Sequence, residues 1–345
     1  MNYDKIIFSI LLSCAAALFF ISCGTKGGDK NSVVVYTSED RVFSEPILKG
    51  FETETGIRVR MVFDTEETKS TGVMNRLIAE KNNPQADVYW ANEPIRAVIL
   101  KKKGILGAYK PKNFNLIKSM YKDADGYWTG FSARARVFLA QKNSSYKPDS
   151  YLSYIDPAAR GHAAIANPLF GTTTTYIAAL FTILGDDRGK DYLRKMKLND
   201  IAITGSNGES ADLVVRGDSD FSLVDSDDAV NNIRAGKRVR MIFPDQGSGI
   251  GVLILPNAAM MIGNCPHPEN AKKLIDYLVS ARVEKRLAFA DCAQIPLLPG
   301  VKTPGDVPDM ATLKLMNVNF DAVAEKLVGI QRYLDEWTKG NRNLK

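Results

Sequence analysis

Histidine is almost missing from this chain. His162 and His267 are the only two, and His267 sits in a turn between Pro266 and Pro268. That excludes the paired-histidine zinc helix, and it leaves little for histidine-based acid–base chemistry. No serine stands in a nucleophile elbow, and no glycine-rich loop ends in Gly-Lys-Ser/Thr. The run Gly247-Ser248-Gly249-Ile250-Gly251 lacks the dinucleotide-binding spacing and reads as a flexible crossover. Cysteine is scarce too: Cys14, Cys23, Cys265 and Cys292, at no metal-like spacing. Charge of one sign is also in short supply. The formal net charge is +6, with Lys101-Lys102-Lys103 as the single basic triplet, so no nucleic-acid partner is expected. These absences count against an enzyme and against a resident cofactor.

Long apolar runs are limited to one, Ile6 to Ile21. It is shorter than the ~20 residues of a membrane-spanning helix, and Ser22-Cys23-Gly24 follows it directly. The segment reads as a targeting signal, not as part of the fold. Small residue, cysteine, small residue after an apolar run resembles a bacterial lipoprotein signal. That resemblance implies removal of residues 1–22, lipidation of Cys23 and a flexible linker over 23–31. The localisation it implies is the periplasm or cell surface, held to the membrane by lipid. In an exported chain, Cys265 and Cys292 can form a disulfide or stay as two buried thiols.

The rest has the 45% hydrophobic and 24% charged residues of an ordinary globular protein and is long enough for two domains. Short β-branched runs alternate with amphipathic stretches. Ser32 to Thr37, Ile57 to Phe63 and Asp87 to Trp90 read as strands, with helices after Ser38-Glu39-Asp40, from Thr71 to Lys81 and after Asn92-Glu93-Pro94. Arg134 to Ala140 reads as a further strand. The alternation then restarts with strands at Ala163 to Ala166, Ile201 to Thr204, Phe221 to Val224, Arg238 to Phe243, Val252 to Leu255 and Ala258 to Ile262. The C-terminal part reads as helices from Pro268, from Ser280 and over Asn319 to Trp337. The fold class is α/β, with parallel sheet.

Each strand ends in a polar turn. In open α/β sheets the ligand lies outside the carboxyl ends of the strands, where helix N-termini offer free N–H groups. The candidate ligand contacts are therefore Ser38 and Glu39, Glu66, Asn92 and Glu93, Arg134, Thr172, Thr173 and Thr174, Ser206 and Asn207, and Asp225, Asp227 and Asp228. Each is equally a candidate helix cap. The hydroxyls of Thr172 to Thr175 suit a carboxylate or phosphate. Asp225, Asp227 and Asp228 suit sugar hydroxyls, an ammonium group or a hard cation, with Asp227 and Asp228 as the candidate metal ligands. Arg134 and Arg136 offer a bidentate anion contact, with alternation along the strand expected to turn at least one of them away. Trp90 is a candidate stacking platform or a core residue.

The stretches Val34-Val35-Tyr36-Thr37-Ser38, Ala86-Asp87-Val88-Tyr89-Trp90, Ile242-Phe243-Pro244-Asp245-Gln246 and Pro266-His267-Pro268-Glu269-Asn270-Ala271 resemble family 1 extracellular solute-binding proteins, and most of all the ferric-iron-type branch. The resemblance covers nearly all of residues 32–340. It implies a two-lobed type II binding-protein fold with a hinge: lobe 1 from 32–135, lobe 2 from 136–245, and a return to lobe 1 with the C-terminal helices over 246–345. It further implies a monomer that serves an ABC permease and ATPase, and iron(III) or an iron complex as cargo. The alternatives are a phosphorylated sugar or other small organic anion, and a structural surface lipoprotein that transports nothing. One departure stands out. Ferric-binding members place two adjacent tyrosines after the strand that matches Phe221 to Val224, and this chain has Asp227 and Asp228 there.

Overall fold

The structure is a computed structural model that describes residues 31–64 and 71–340. The signal, Cys23 and nearly all of the linker lie outside the described residues, as does Glu66.

Strand β1 (Ser32–Thr37) is buried along its whole length, as expected for a β-branched run covered on both faces. It pairs in parallel with β2 (Arg58–Phe63) and β3 (Val88–Ala91). Helix α1 (Arg41–Thr55) makes the crossover and stops at Gly56, whose φ of 66° is the left-handed C-cap conformation that glycine adopts without strain. Helices α2 (Thr71–Ala79) and α3 (Ile95–Lys102) follow β2 and β3. A short β4 (Leu106–Gly107) then pairs with β10 (Ile254–Ile262), which runs antiparallel to β3.

The long β5 (Thr129–Gln141) joins two sheets. Its residues 129–135 pair with β10, which completes the first sheet in the order β2-β1-β3-β10-β5. Its residues 136–140 pair with β8 (Phe221–Asp225), and β9 (Val239–Ile242) lies on the other edge. Beyond β8 come β6 (Ala163–Ala166) and β7 (Ala202–Thr204), all parallel. Helices α4 (Gly171–Leu184), α5 (Asp186–Leu198), α6 (Asn207–Arg216) and α7 (Ser226–Arg234) cover this second sheet. The chain returns through β10 to α8 (Pro268–Leu278) and α9 (Ala281–Phe289). The result is the two-lobed α/β architecture expected from the sequence.

The last helix, α10 (Phe320–Thr338), packs on both lobes. Its Trp337 Nε1 donates to the Leu193 carbonyl of α5 at 2.9 Å. Its Phe320 meets Trp128 edge-on, and its Glu325 pairs with Lys102 of α3 at 2.6 Å.

Two expectations need correction, and one open alternative is decided. The two strands expected at Val252 to Leu255 and Ala258 to Ile262 are one strand, β10. Pro256 has no N–H to give, and the register shifts there as a bulge. The amide of Asn257 bridges the irregularity by donating to the Ser132 carbonyl at 2.9 Å. β5 begins at Thr129, five residues before the expected start, because its polar residues find partners inside the protein. Cys265 and Cys292 form no disulfide: both are free thiols, and burial pushes Cys265 up to about 11.

Candidate functional site: an acidic cleft at three helix N-termini

A cavity of about 340 Å³ lies at the carboxyl ends of strands from both sheets. From the first sheet's side it is lined by Glu39 and Asp40 of the β1–α1 turn, Asn92 after β3, and Arg134 of β5. From the second side come Ala166, Asn167 and residues 170–173, then Gly205 to Gly208, then Asp225, Asp227 and Asp228.

Three helices begin on the second side. Gly171 opens α4 at a φ of 60°, where a side chain would be strained, and Phe170 gives the helix no side-chain cap. The first N–H groups of α4 have no partner within their own helix and carry the positive end of its dipole. At α6, Ser206 caps the helix by accepting from Glu209 N at 3.1 Å. At α7, the Asp228 carboxylate accepts from Asp225 N at 3.2 Å, so Asp228 is a capping residue as well as a cavity residue.

The charged groups interlock. Arg136 is fully buried. It donates to Asp225 Oδ1 at 2.8 Å, to the hydroxyls of Thr172 and Thr173 at 2.9 and 3.2 Å, and to the Leu223 carbonyl at 3.0 Å. The Thr172 hydroxyl in turn donates to Asp225 Oδ2 at 2.8 Å, and Asn207 Nδ2 donates to the same oxygen at 3.2 Å. The threonine hydroxyls therefore hold Arg136 and Asp225 in place, and the groups left to meet an anion are backbone N–H. Arg134 donates to Asp227 at 2.9 Å and to both oxygens of Glu39. Neither arginine turns away from the acids. Positions two apart on a strand share a face, so the expectation that at least one of them turns away is corrected.

Carboxylates outnumber these cations. Glu39, Asp40, Asp225, Asp227 and Asp228 face the cavity region against Arg134 and Arg136. Burial pushes Glu39 and Asp227 above the ordinary carboxyl range, with Arg134 opposing the shift in both. Burial, then Asp227 and Asp225, pushes Asp228 well above it. Burial alone would lower Arg134, but Glu39 and Asp227 outweigh it and keep the guanidinium charged. One oxygen each from Asp225, Asp227 and Asp228 lie within 4.8 Å of one another, close enough to share a cation.

The remaining candidates lie elsewhere. Ser38 is buried, with its hydroxyl 2.7 Å from Tyr89 Oη. Glu93 caps α3 by accepting from Ile95 N at 2.8 Å, and the Thr175 hydroxyl reaches it at 3.4 Å. Thr174 is buried away from the cavity, and Trp90 is a core residue beside Phe131. No tyrosine among the described residues lines the cavity. Tyr176 and Tyr192 are buried together, hydroxyl to hydroxyl at 3.0 Å, and Tyr154 donates to the Ala164 carbonyl. Asp40, Asn167, Phe170 and Gly205 line the cavity without having been singled out as contacts. Their signal was position, since each stands in the turn between a strand and the next helix.

Comparison with known proteins bears on this site. Residues 98–326 match the family described as bacterial extracellular solute-binding protein. Iron uptake protein A1 of Synechocystis is 24% identical over 326 residues, 90% of this chain and 88% of that protein. The ferric binding protein from Campylobacter jejuni superposes with a TM-score of 0.80 at 21% identity, over 88% of this chain and 99% of that one. The periplasmic binding protein AfuA from Actinobacillus pleuropneumoniae, solved with exogenous fructose-6-phosphate bound, gives 0.76 at 21% identity over 91% and 99%.

Proposed function

The chain belongs to the bacterial extracellular solute-binding protein family, and from that premise we propose that it is the receptor of an ABC importer whose cleft captures one small polar solute. It works outside the cytoplasm, as that family does, and delivers its cargo to a permease driven by an ATPase. We place it on the membrane as a monomer, held by a lipid on Cys23.

The observation that carries the ligand reading is the division of the cavity into two polarities. The N-termini of α4 and α6 offer N–H groups and a positive dipole to an oxyanion. The cluster of Asp225, Asp227 and Asp228 offers acceptors to a cation or to hydroxyls. The cargo then joins an oxyanion to a cationic or hydroxyl-bearing part. Iron(III) carried with a small carboxylate has that chemistry, supported by the three close carboxylates and by the iron named for the Synechocystis and Campylobacter proteins. A phosphorylated sugar has it too. The lack of a cavity-lining tyrosine among the described residues favours this second reading, because hard ferric iron is well served by phenolate oxygen.

Calorimetry separates them. Ferric citrate, citrate alone, fructose 6-phosphate, fructose and inorganic phosphate are titrated in turn. Binding of ferric citrate and not citrate assigns the metal; binding of the sugar phosphate well above phosphate and fructose assigns the sugar. If none of the five binds, the two-polarity reading is wrong.

A further inference from the structure

Strand β5 carries two arginines on one face, and they serve different lobes. Arg136 lies in the half paired with β8, and its side chain bonds within the second lobe alone: Asp225, Thr172, Thr173, Asn207 and the Leu223 carbonyl. Arg134 lies in the half paired with β10 and reaches both ways. Its Nη2 donates to the two carboxylate oxygens of Glu39 at 2.6 and 2.7 Å, and its Nη1 donates to the Asn92 carbonyl at 3.4 Å. These are turns of the first lobe. Its Nε donates to Asp227 Oδ2 at 2.9 Å, on α7 of the second.

The two ends of this bridge are unequal. Glu39 is held from a second direction by Gln294 Nε2 at 3.0 Å, and Gln294 is itself held by Asn257 of β10 at 2.7 Å. On the first lobe the guanidinium thus has a two-oxygen grip on a side chain that is pinned in turn. On the second it has one bond. Its other charged neighbour being Glu39, Arg134 is 5% exposed, and Nε, Nη1 and Nη2 are all engaged. A side chain so committed has little left to offer a solute.

We propose that Arg134 is a positioning residue that latches the two lobes, not a contact for the cargo. It stays with Glu39 when the lobes part, and the Arg134–Asp227 bond is the arm that breaks. With no solute bound, that arm holds the cleft closed and aims Asp227 Oδ1 at the N–H of Asp228, 3.1 Å away. The inference rests on the reading of this cavity as a solute cleft that opens and closes, but its test needs no solute.

Small-angle scattering of the solute-free protein is compared for the parent, Arg134→Met and Asp227→Ala, with circular dichroism to establish that each is folded. A hydrogen bond between charged groups moves an equilibrium by about tenfold or more, so both variants should shift toward the open form and show a larger radius of gyration. Arg134→Lys, which keeps the charge and loses the fork, should fall between. Asp227→Ala changes a partly exposed residue in the first turn of a helix, so it carries the test even where Arg134→Met does not fold. A folded Asp227→Ala variant with the parental scattering profile overturns the latch. If the variants expand while none of the candidate solutes binds, the latch stands and the cargo reading falls.

Discussion

Arg136 offers the sharpest test of how this site is built. It is fully buried, and its guanidinium serves one carboxylate, two threonine hydroxyls, one amide oxygen and one carbonyl. Arg136→Met keeps most of the volume and removes the charge. Asp225 would then be left in a largely buried setting, with an uncharged side chain in place of the cation that its Oδ1 now meets at 2.8 Å. Breaking a buried ion pair by removing one partner costs about 3–5 kcal/mol. At ~1.4 °C per kcal/mol for a chain of 345 residues, the melting temperature should fall by about 4–7 °C. The second half of the cycle isolates the cause. Asp225→Asn added to Arg136→Met removes the stranded charge and should recover at least ~2 kcal/mol, which makes the pair strongly non-additive. Differential scanning calorimetry on the four proteins reads both terms. A single variant that melts within a degree or two of the parent, or a double variant whose loss is the sum of the singles, would refute the claim that Arg136 and Asp225 form one buried unit.

Asp228 should behave in the opposite sense. Its folded pKa is raised, so its contribution to stability is present below the ordinary carboxyl range and is lost as pH climbs through the raised value. Asp228→Asn is expected to raise the melting temperature of the solute-free protein by a few degrees at neutral pH and to weaken binding of the true cargo; equal melting curves across the acid-to-neutral range would count against it. Asp87 is fully buried and accepts from Val34 N at 2.7 Å, from His267 N at 2.7 Å and from His267 Nδ1 at 2.9 Å, and it does not line the cavity. Asp87→Ala should lower stability by ~2–4 kcal/mol in urea titration and leave solute affinity unchanged; a loss of affinity with no loss of stability would reverse that assignment. Cys23→Ser should release the protein from the membrane fraction on cell fractionation, and retention at the parental level would exclude a lipid on that sulfur.

The strands that could be read from the chain are those whose residues announce burial locally. Val33, Val34 and Val35 are apolar and β-branched, and no distant partner is needed to know that they are inside. β5 is the counter-example. Thr129 to Arg136 reads Thr-Gly-Phe-Ser-Ala-Arg-Ala-Arg, a composition suited to a surface, yet every residue of it is buried. What makes that burial tolerable lies far along the chain. Glu284 accepts from Ser132 N, Asn257 donates to the Ser132 carbonyl, Asp227 and Glu39 flank Arg134, and Asp225 pairs with Arg136. A buried polar group is stable only when its partners are present, and partners 89 to 152 residues away leave no trace in a local window.

The same reasoning explains which site residues could be foreseen. Asn92, Ser206, Asn207, Asp225, Asp227 and Asp228 were legible as polar residues in strand-to-helix turns, and all six line the cavity. Position alone could not tell that Ser38 and Glu93, in turns of the same kind, are spent on Tyr89 and on the cap of α3. Nor could it tell that Asp228 does both things at once. A residue that caps a helix at the mouth of a cleft is already oriented toward whatever enters, because the N–H groups and the positive dipole it serves point the same way. Cap and contact are therefore not rival readings of Asp228. Its bond to the Asp225 N–H fixes the carboxylate at the cavity lining, and burial, with Asp227 and Asp225 beside it, raises its proton affinity, a cost that a cation or a hydroxyl donor bound there would offset. On that argument Asp228 is the acid of the cluster that a cargo should engage first.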